Sequence, residues 1–295
     1  MTRNSKSILL ALMAVLLWST IGSAFKLTLN YLNYTQILLF SSFIAVVYLA
    51  VLLAVTGKIN LLRKVTFRSI RMSAIMGFLN PFAYYLILLK AYSVLKAQEA
   101  VVLNYTWPMI LVLLSAIFLK TRITWINVAS LLISFSGTLI IATRGDIFSF
   151  EFSDPTGIIL ALSSAFFWAS YWLLNLKDTR GTEEKIFMNF LFGFVYTLMY
   201  SILTDNLIVP GPEATAGIIY IGLFEMGITF VIWLNALKLA TNTAKISNLV
   251  YLSPFISLII VSVAVKEEIM ASTLVGLLMI IGGIMLQHLI GKKGQ

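Results

Sequence analysis

The sequence predicts an all-α membrane protein: ten transmembrane helices in two inverted five-helix repeats around a central cavity. Three observations predict it. Of the 295 residues, 60% are hydrophobic and only 11% charged, with a mean hydropathy of +0.95, whereas a soluble domain is about half apolar and a quarter charged. Apolar runs recur along the whole length, each near the roughly 20 residues that cross a hydrocarbon core of about 30 Å as a helix. The two halves of the chain also match each other at a nearly constant offset.

In chain order the apolar segments are 7–26, 34–56, 70–89, 97–119, 124–142, 156–176, 186–204, 215–237, 243–265 and 271–290. The first follows a basic start and resembles a signal peptide, yet "ILLALMAVLLWS" at 8–19 lies on "IILALSSAFFWA" at 158–169 and pairs Trp18 with Trp168. It belongs to the repeat and is expected to be retained. The third and eighth segments pair Gly77 with Gly222 and Ala91 with Ala236. In the fourth and ninth, "NYTWPMILVL" and "VYLSPFISLI" place Pro108 and Pro254 a few residues after Tyr105 and Tyr251. Proline removes a helical hydrogen bond and bends a helix interior, so both segments are expected to kink beside a cavity. The fifth and tenth carry Ser130, Ser134 and Gly137, and Gly276 and Gly283, which suit close helix packing.

The first repeat spans 1–145 and the second 155–295, joined by the longest loop, "TRGDIFSFEFSDP" at 143–155. Five helices is an odd number, so the second repeat enters from the opposite side. Inverted repeats mark transporters whose substrate site lies near the midplane between the halves.

The net charge of +9 has an uneven distribution: with the N-terminus inside, 16 of the 21 Lys and Arg residues fall on the cytoplasmic side and 5 outside. That is the positive-inside pattern. The charge is therefore a topology signal, not a nucleic-acid footprint, and both termini are cytoplasmic. With no cysteine and a single histidine, His288, the chain has no disulfide, thiolate nucleophile or histidine relay. No spaced acid pair, Ser/His/Asp set or phosphate-cradling loop appears, so no cofactor or metal is expected.

Glu225 is about ten residues into the eighth segment, near the midplane at 1.5 Å per residue. A charge there costs about 2.5–3.5 kcal/mol on insertion scales. It reads either as a structural carboxylate or as a site for a substrate amine or proton. Its repeat mate is Asn80. Helical spacing puts Asn80 and Tyr84 on one face, and Glu225, Thr229 and Trp233 on another. Trp168, Tyr171, Trp172 and Asn175 form a stripe opposed in the repeat by Trp18; Asn104, Tyr105 and Trp107, with Asn248 and Tyr251, complete the candidate lining. Glu99 and Lys245 open the fourth and ninth segments at opposite faces, so they either line the two mouths of a path or snorkel. With Pro108 and Pro254 they are the gating candidates.

The patches "LLWST" at 16–20, "EAVVLNYTWPMILVLLSAIF" at 99–118, "FFWASY" at 166–171, "TRG" at 179–181 and "VYLSPFIS" at 250–257 carry a family resemblance. The chain resembles the drug/metabolite transporter superfamily, specifically EamA-type exporters, and its pattern is closest to the aromatic amino acid exporter (YddG) branch. The resemblance covers almost the whole chain. It implies a cavity surrounded by helices 1, 3, 4, 6, 8 and 9, with paired helices rocking to alternate access. One departure stands out: many members carry Gly-Glu after helices 4 and 9, whereas here the first half has "LKTRIT" and only the second has "VKEEIM".

The expected function is export of small amphipathic metabolites, aromatic or other hydrophobic amino acids foremost, across the cytoplasmic membrane, with the lipid bilayer as surroundings and protons as the coupling ion. Glu225 answers an ammonium, Asn80, Asn104 and Asn248 supply hydrogen bonds, and the rings cover the apolar part. Organic cations are the rival substrate, since Trp18, Trp168 and Trp233 are capable of cation–π contact. A passive facilitator would use the same cavity without coupling. A membrane-embedded enzyme would need clustered carboxylates, which the chain lacks.

Overall fold

A computed structural model describes residues 2–60, 65–118, 125–148, 154–175, 178–241 and 246–290. Among them the regular elements are all helical. In chain order they form α1 (Arg3–Thr28), α2 (Tyr34–Val55), α3 (Phe67–Val94), α4 (Ala97–Phe118), α5 (Trp125–Ala142), α6 (Pro155–Asn175), α7 (Thr182–Leu203), α8 (Pro212–Leu239), α9 (Asn248–Ala264) and α10 (Ala271–Ile290). Among the described residues seven of these are long and apolar enough to cross a membrane, and α5, α9 and α10 hold the apolar stretches Val128–Ala142, Asn248–Ala264 and Ala271–Leu286. The chain is a multi-pass membrane protein. Large apolar side chains such as Phe43, Val51, Ile259 and Val263 stay exposed, a surface suited to lipid.

Capping side chains set several helix starts. The Thr2 hydroxyl accepts the Ser5 N–H, and Asn33 and Gln36 form a reciprocal capping box. Thr66 accepts the Ser69 N–H and starts α3 at Phe67, three residues before the apolar run suggests. Each such cap satisfies a helix-end donor that is otherwise orphaned.

Four helices are irregular inside the bilayer-length span. In α3 a π-helical turn covers Phe78–Ala83, where Asn80 is extended (φ −151, ψ 121) and Pro81 lacks an N–H. In α8 a π-helical turn covers Ile221–Ile228. α4 breaks into Ala97–Asn104 and Trp107–Phe118 with a turn at Tyr105 and Thr106. α9 starts as a 3₁₀ stretch, Asn248–Leu252, before Ser253–Ala264. The kinks expected at the two prolines take a different form: Pro108 and Pro254 each occupy the second residue of a restarted α-helix. Proline is tolerated there because the first-turn N–H has no helical acceptor.

Packing is reciprocal. α1 packs on α8 and α9, and α6 packs on α3 and α4; α2 pairs with α7, and α5 with α10. Two contacts show how close the backbones come. A Cβ on Gly77 would strike the Asn189 carbonyl of α7, and one on Gly222 would strike the Ser41 carbonyl of α2. Between α5 and α10, Gly137 faces the Gly276 carbonyl and Gly283 faces Ser134 and the Ser130 carbonyl. Small residues permit this approach where the hydrophobic effect does not drive association. The largest buried core joins both halves, including Leu38, Tyr85, Trp168, Phe230 and Leu258.

Candidate functional site

The two π turns position two buried polar residues, Asn80 and Glu225. Asn80 is completely buried and Glu225 is 5% exposed. The Tyr85 hydroxyl donates to Glu225 Oε1 at 2.8 Å, while Oε2 and both polar atoms of Asn80 have no protein partner. π turns commonly occur at functional sites because they turn a side chain out of the regular register.

Aromatic rings from both halves surround this region. Tyr84 stacks on Trp168 with centroids 4.6 Å apart, and Trp168 stacks on Tyr171 at 6.1 Å. Phe230 meets Trp168 edge-on at 5.8 Å and Trp18 at 6.3 Å, and Trp18 lies 5.3 Å from Trp233. Offset and edge-on arrangements of this kind are the favoured ones for aromatic pairs.

Hydrogen bonds tie the rings to polar groups of α4 and α6. The Tyr84 hydroxyl donates to Asn104 Oδ1 at 3.3 Å, and Asn104 Nδ2 donates to Ser164 Oγ at 2.9 Å. The Tyr171 hydroxyl faces the amides of Asn189, Asn175 and Asn80. Asn175 Oδ1 accepts from Lys185 Nζ at 2.7 Å.

The structure thus gathers Trp18, Asn80, Tyr84, Asn104, Trp168, Tyr171, Asn175, Glu225 and Trp233 into one buried aromatic and polar region. Tyr105 lies half-buried at the α4 break, facing Ser253, and Trp107 packs half-buried against the core. Asn248 is exposed; with Tyr251 it lines an apolar groove of about 370 Å³ between α9 and α10 and does not join the group. Lys245 lies outside the described residues.

Both ends of the molecule carry polar ties, some within one half and some between the halves. At one end Glu99, only 1% exposed, pairs with Arg144 at 2.8 Å and accepts the Lys96 N–H at 3.3 Å. Beside it Glu267 accepts the Ala97 and Gln98 N–H groups at 2.9 and 3.3 Å, and Gln98 bonds the Glu268 carbonyl and the Met270 N–H. The Glu267 carboxylate therefore caps the first half-helix of α4 from the opposite half. Lys26 Nζ braces the Tyr92 and Leu95 carbonyls at 2.9 and 2.6 Å. At the other end Arg180 holds the Asp178 carboxylate with two N–H groups, at 2.9 and 2.7 Å, and reaches Ser73 Oγ of α3 at 2.7 Å. Burial opposes ionisation of Asp178, but the Arg180 hydrogen bonds and charge win and hold its carboxyl below the usual range. Among the described residues no cluster of three or more His, Asp or Glu suits a metal ion.

Sequence spacing missed Tyr85, Phe230, Asn189 and Glu267. The first two follow from the π turns. Each wide turn uses an extra residue, so the face reaches the fifth residue: Phe230 takes the place of Thr229 after Glu225, and Tyr85 joins Tyr84 after Asn80. Thr229, expected beside Glu225, instead donates its hydroxyl to the Phe224 carbonyl. No local pattern marks Asn189; Glu267 lies in the "VKEEIM" stretch, but its partners, the Ala97 and Gln98 N–H groups, are far away in the chain.

Comparisons with known proteins agree with this architecture. A model of the EamA-like transporter family matches residues 5–143 and again 155–287. A probable terminal-alkyne amino-acid exporter of Streptantibioticus cattleyicolor is 27% identical over 300 residues, 99% of this chain and 97% of that one. The aromatic amino acid exporter YddG of Escherichia coli is 25% identical over 210 residues, covering 68% and 69% of the two chains. An uncharacterized transporter of Clostridium kluyveri is 24% identical over 206 residues, and the chain spans 66% of its length, just under two thirds. A solved crystal structure shares the fold, with a TM-score of 0.67 at 22% identity over 98% of this chain and 99% of that one.

Proposed function

This chain belongs to the EamA-like transporter family, and from that premise we propose that it exports small amphipathic metabolites, aromatic or other hydrophobic amino acids foremost, by alternating access. Glu225 carries the proposal. It is a buried carboxylate with one oxygen held by Tyr85 and the other unpartnered, in a region walled by Tyr84, Trp168 and Phe230. The free oxygen suits a substrate ammonium or a coupling proton, and the rings suit an aromatic or aliphatic side chain. The relatives from Streptantibioticus and Escherichia coli are named as amino acid exporters, which supports the same cargo.

We place ten transmembrane helices in the cytoplasmic membrane as two inverted repeats, 1–145 and 155–295, with both termini cytoplasmic. Three features support that architecture: the twofold match of one family model, the reciprocal packing of α1 and α6, and π turns at equivalent places in α3 and α8. Alternation then moves the ties at the two ends in opposite senses.

One observation favours an organic cation as the rival cargo: aromatic rings, Tyr84 among them, stand near a buried carboxylate, and cation–π contacts are strongest when desolvated. Thermal stabilisation of the purified protein by aromatic amino acids, purines and quaternary amines, followed by flux in proteoliposomes, separates the two. Aromatic amino acids are expected to raise the melting temperature and to be transported, with Glu225→Gln abolishing flux. Stabilisation and flux with quaternary amines alone would overturn the amino acid reading.

A further inference from the structure

Three asparagines from three helices, Asn80 of α3, Asn175 of α6 and Asn189 of α7, surround the Tyr171 hydroxyl. Asn80 and Asn189 are completely buried and Asn175 is 8% exposed. Both polar atoms of Asn80, both of Asn189 and Nδ2 of Asn175 lack a protein partner. A buried polar group left unpaired is costly, and amides concentrated around one hydroxyl with spare hydrogen-bonding capacity suit a polar occupant.

The backbone holds these amides where they are. α3 and α7 touch at Gly77 against the Asn189 carbonyl and at Gly193 against Pro81, which sets Asn189 beside the π turn that carries Asn80. Lys185, 7% exposed, donates its ammonium to Asn175 Oδ1 at 2.7 Å. That bond fixes the amide orientation, since Lys can only donate, and turns the Asn175 NH₂ away from the lysine. The neighbouring Asp178 carboxylate is occupied by Arg180. The array therefore offers three amide NH₂ groups and a phenolic O–H, with a cation behind one of them, against two amide oxygens, Oδ1 of Asn80 and of Asn189, so donors are in excess. Donors of this kind match a carboxylate, which accepts hydrogen bonds only.

We propose that Asn80, Asn175, Asn189 and Tyr171 form the subsite that holds the carboxylate of the cargo, with Lys185 positioning Asn175. The inference rests on the amino acid reading of the cargo and adds to it. Glu225 meets the positive pole, the array meets the negative pole, and the Trp168 ring stacks between Tyr84 and Tyr171. Zwitterionic amino acids are selected over amines because an amine leaves the array empty.

The test is binding of three probes, L-phenylalanine, L-phenylalaninamide and 3-phenylpropionate, to the purified full-length protein, its Asn189→Asp and its Tyr171→Phe variants. Wild type is expected to favour L-phenylalanine over the amide at least tenfold. Asn189→Asp places a negative charge in the same space and is expected to reverse that preference, a result misfolding does not produce. Tyr171→Phe is expected to weaken the two carboxylate probes about tenfold and to leave the amide unchanged; it decides the matter if Asn189→Asp does not fold. Equal binding of L-phenylalanine and its amide, unaltered by either variant, overturns the subsite and leaves amino acid transport standing. Binding of 3-phenylpropionate without L-phenylalanine, lost in Asn189→Asp, supports the subsite and overturns the amino acid reading. If no probe binds wild type, both are overturned.

Discussion

The Tyr85 hydroxyl reaches across the two halves and donates to Glu225 Oε1 at 2.8 Å. Tyr85 follows the π turn of α3, and Glu225 sits within the π turn of α8. The bond joins the halves at the depth where the cargo is proposed to bind, and it leaves the second carboxylate oxygen free. One interaction thus both braces the structure and presents an acceptor.

Stability and transport are expected to separate at this pair. Tyr85→Phe strands the Oε1 acceptor in a buried place, a loss of about 1–3 kcal/mol, and lowers the melting temperature by several degrees. Glu225→Gln keeps an oxygen for Tyr85 and removes a buried charge, so its melting temperature stays equal or rises while flux disappears. Thermal unfolding in detergent alongside proteoliposome flux reads both. A strongly destabilised Glu225→Gln would make the carboxylate a structural element.

The Glu267 cap of α4 is expected to act as a latch. Glu267→Ala removes the acceptor of the Ala97 and Gln98 N–H groups, and loss of a helix N-cap costs about 1 kcal/mol. Opening of that end then rises about fivefold, the Boltzmann factor for the same energy. The chain has no cysteine, so a single Ala100→Cys, at a buried position of α4, reports it cleanly. Labelling by a membrane-impermeant maleimide is expected to quicken severalfold in the Glu267→Ala background. An unchanged labelling rate would leave Glu267 as a static cap.

Asp178 gives a pH dependence with a definite sign. Arg180 holds its carboxyl below the usual range in the folded protein despite burial. A depressed folded value stabilises fully above the unfolded carboxylate range and is lost as pH falls through the folded value. Asp178→Asn removes that contribution at every pH. The gap in melting temperature between wild type and Asp178→Asn is therefore widest near neutrality and closes in acid. A gap that widens in acid would reverse the assignment.

Much of this molecule is legible in its sequence, and the exceptions share a cause. Apolar length and capping residues are local, so the helices and several of their starts can be read directly. The pairing of Asn80 with Glu225 follows from the repeat offset. What escapes is the backbone slip at the π turns, which tertiary contacts accompany: Gly222 and Gly227 lie against Ser41 and Tyr48 of α2, and Pro81 lies against Gly193. That slip exchanges Thr229 for Phe230 and adds Tyr85 to the site. Pro108 and Pro254 read as kinks because the turn and the 3₁₀ stretch before them carry no separate signal.

The matched glycines supply the last prediction. Gly77 and Gly222 pair at the offset read from the sequence, and a Cβ at either would strike a backbone carbonyl, of Asn189 or of Ser41. A backbone atom cannot swing aside as a side chain can, so the helices must separate. Overpacking of this kind costs about 1–3 kcal/mol. Gly77→Ala and Gly222→Ala are therefore expected to lower the melting temperature by similar amounts. Gly282 of α10 has open space around its would-be Cβ, and Gly282→Ala gains up to about 1 kcal/mol of helix propensity. The comparison separates close approach from a general effect of alanine. Similar losses at the first two sites with none at the third mean that each half uses its glycine to dock a π-turn helix against its neighbour. A loss at only one of them would break the equivalence of the halves at this contact.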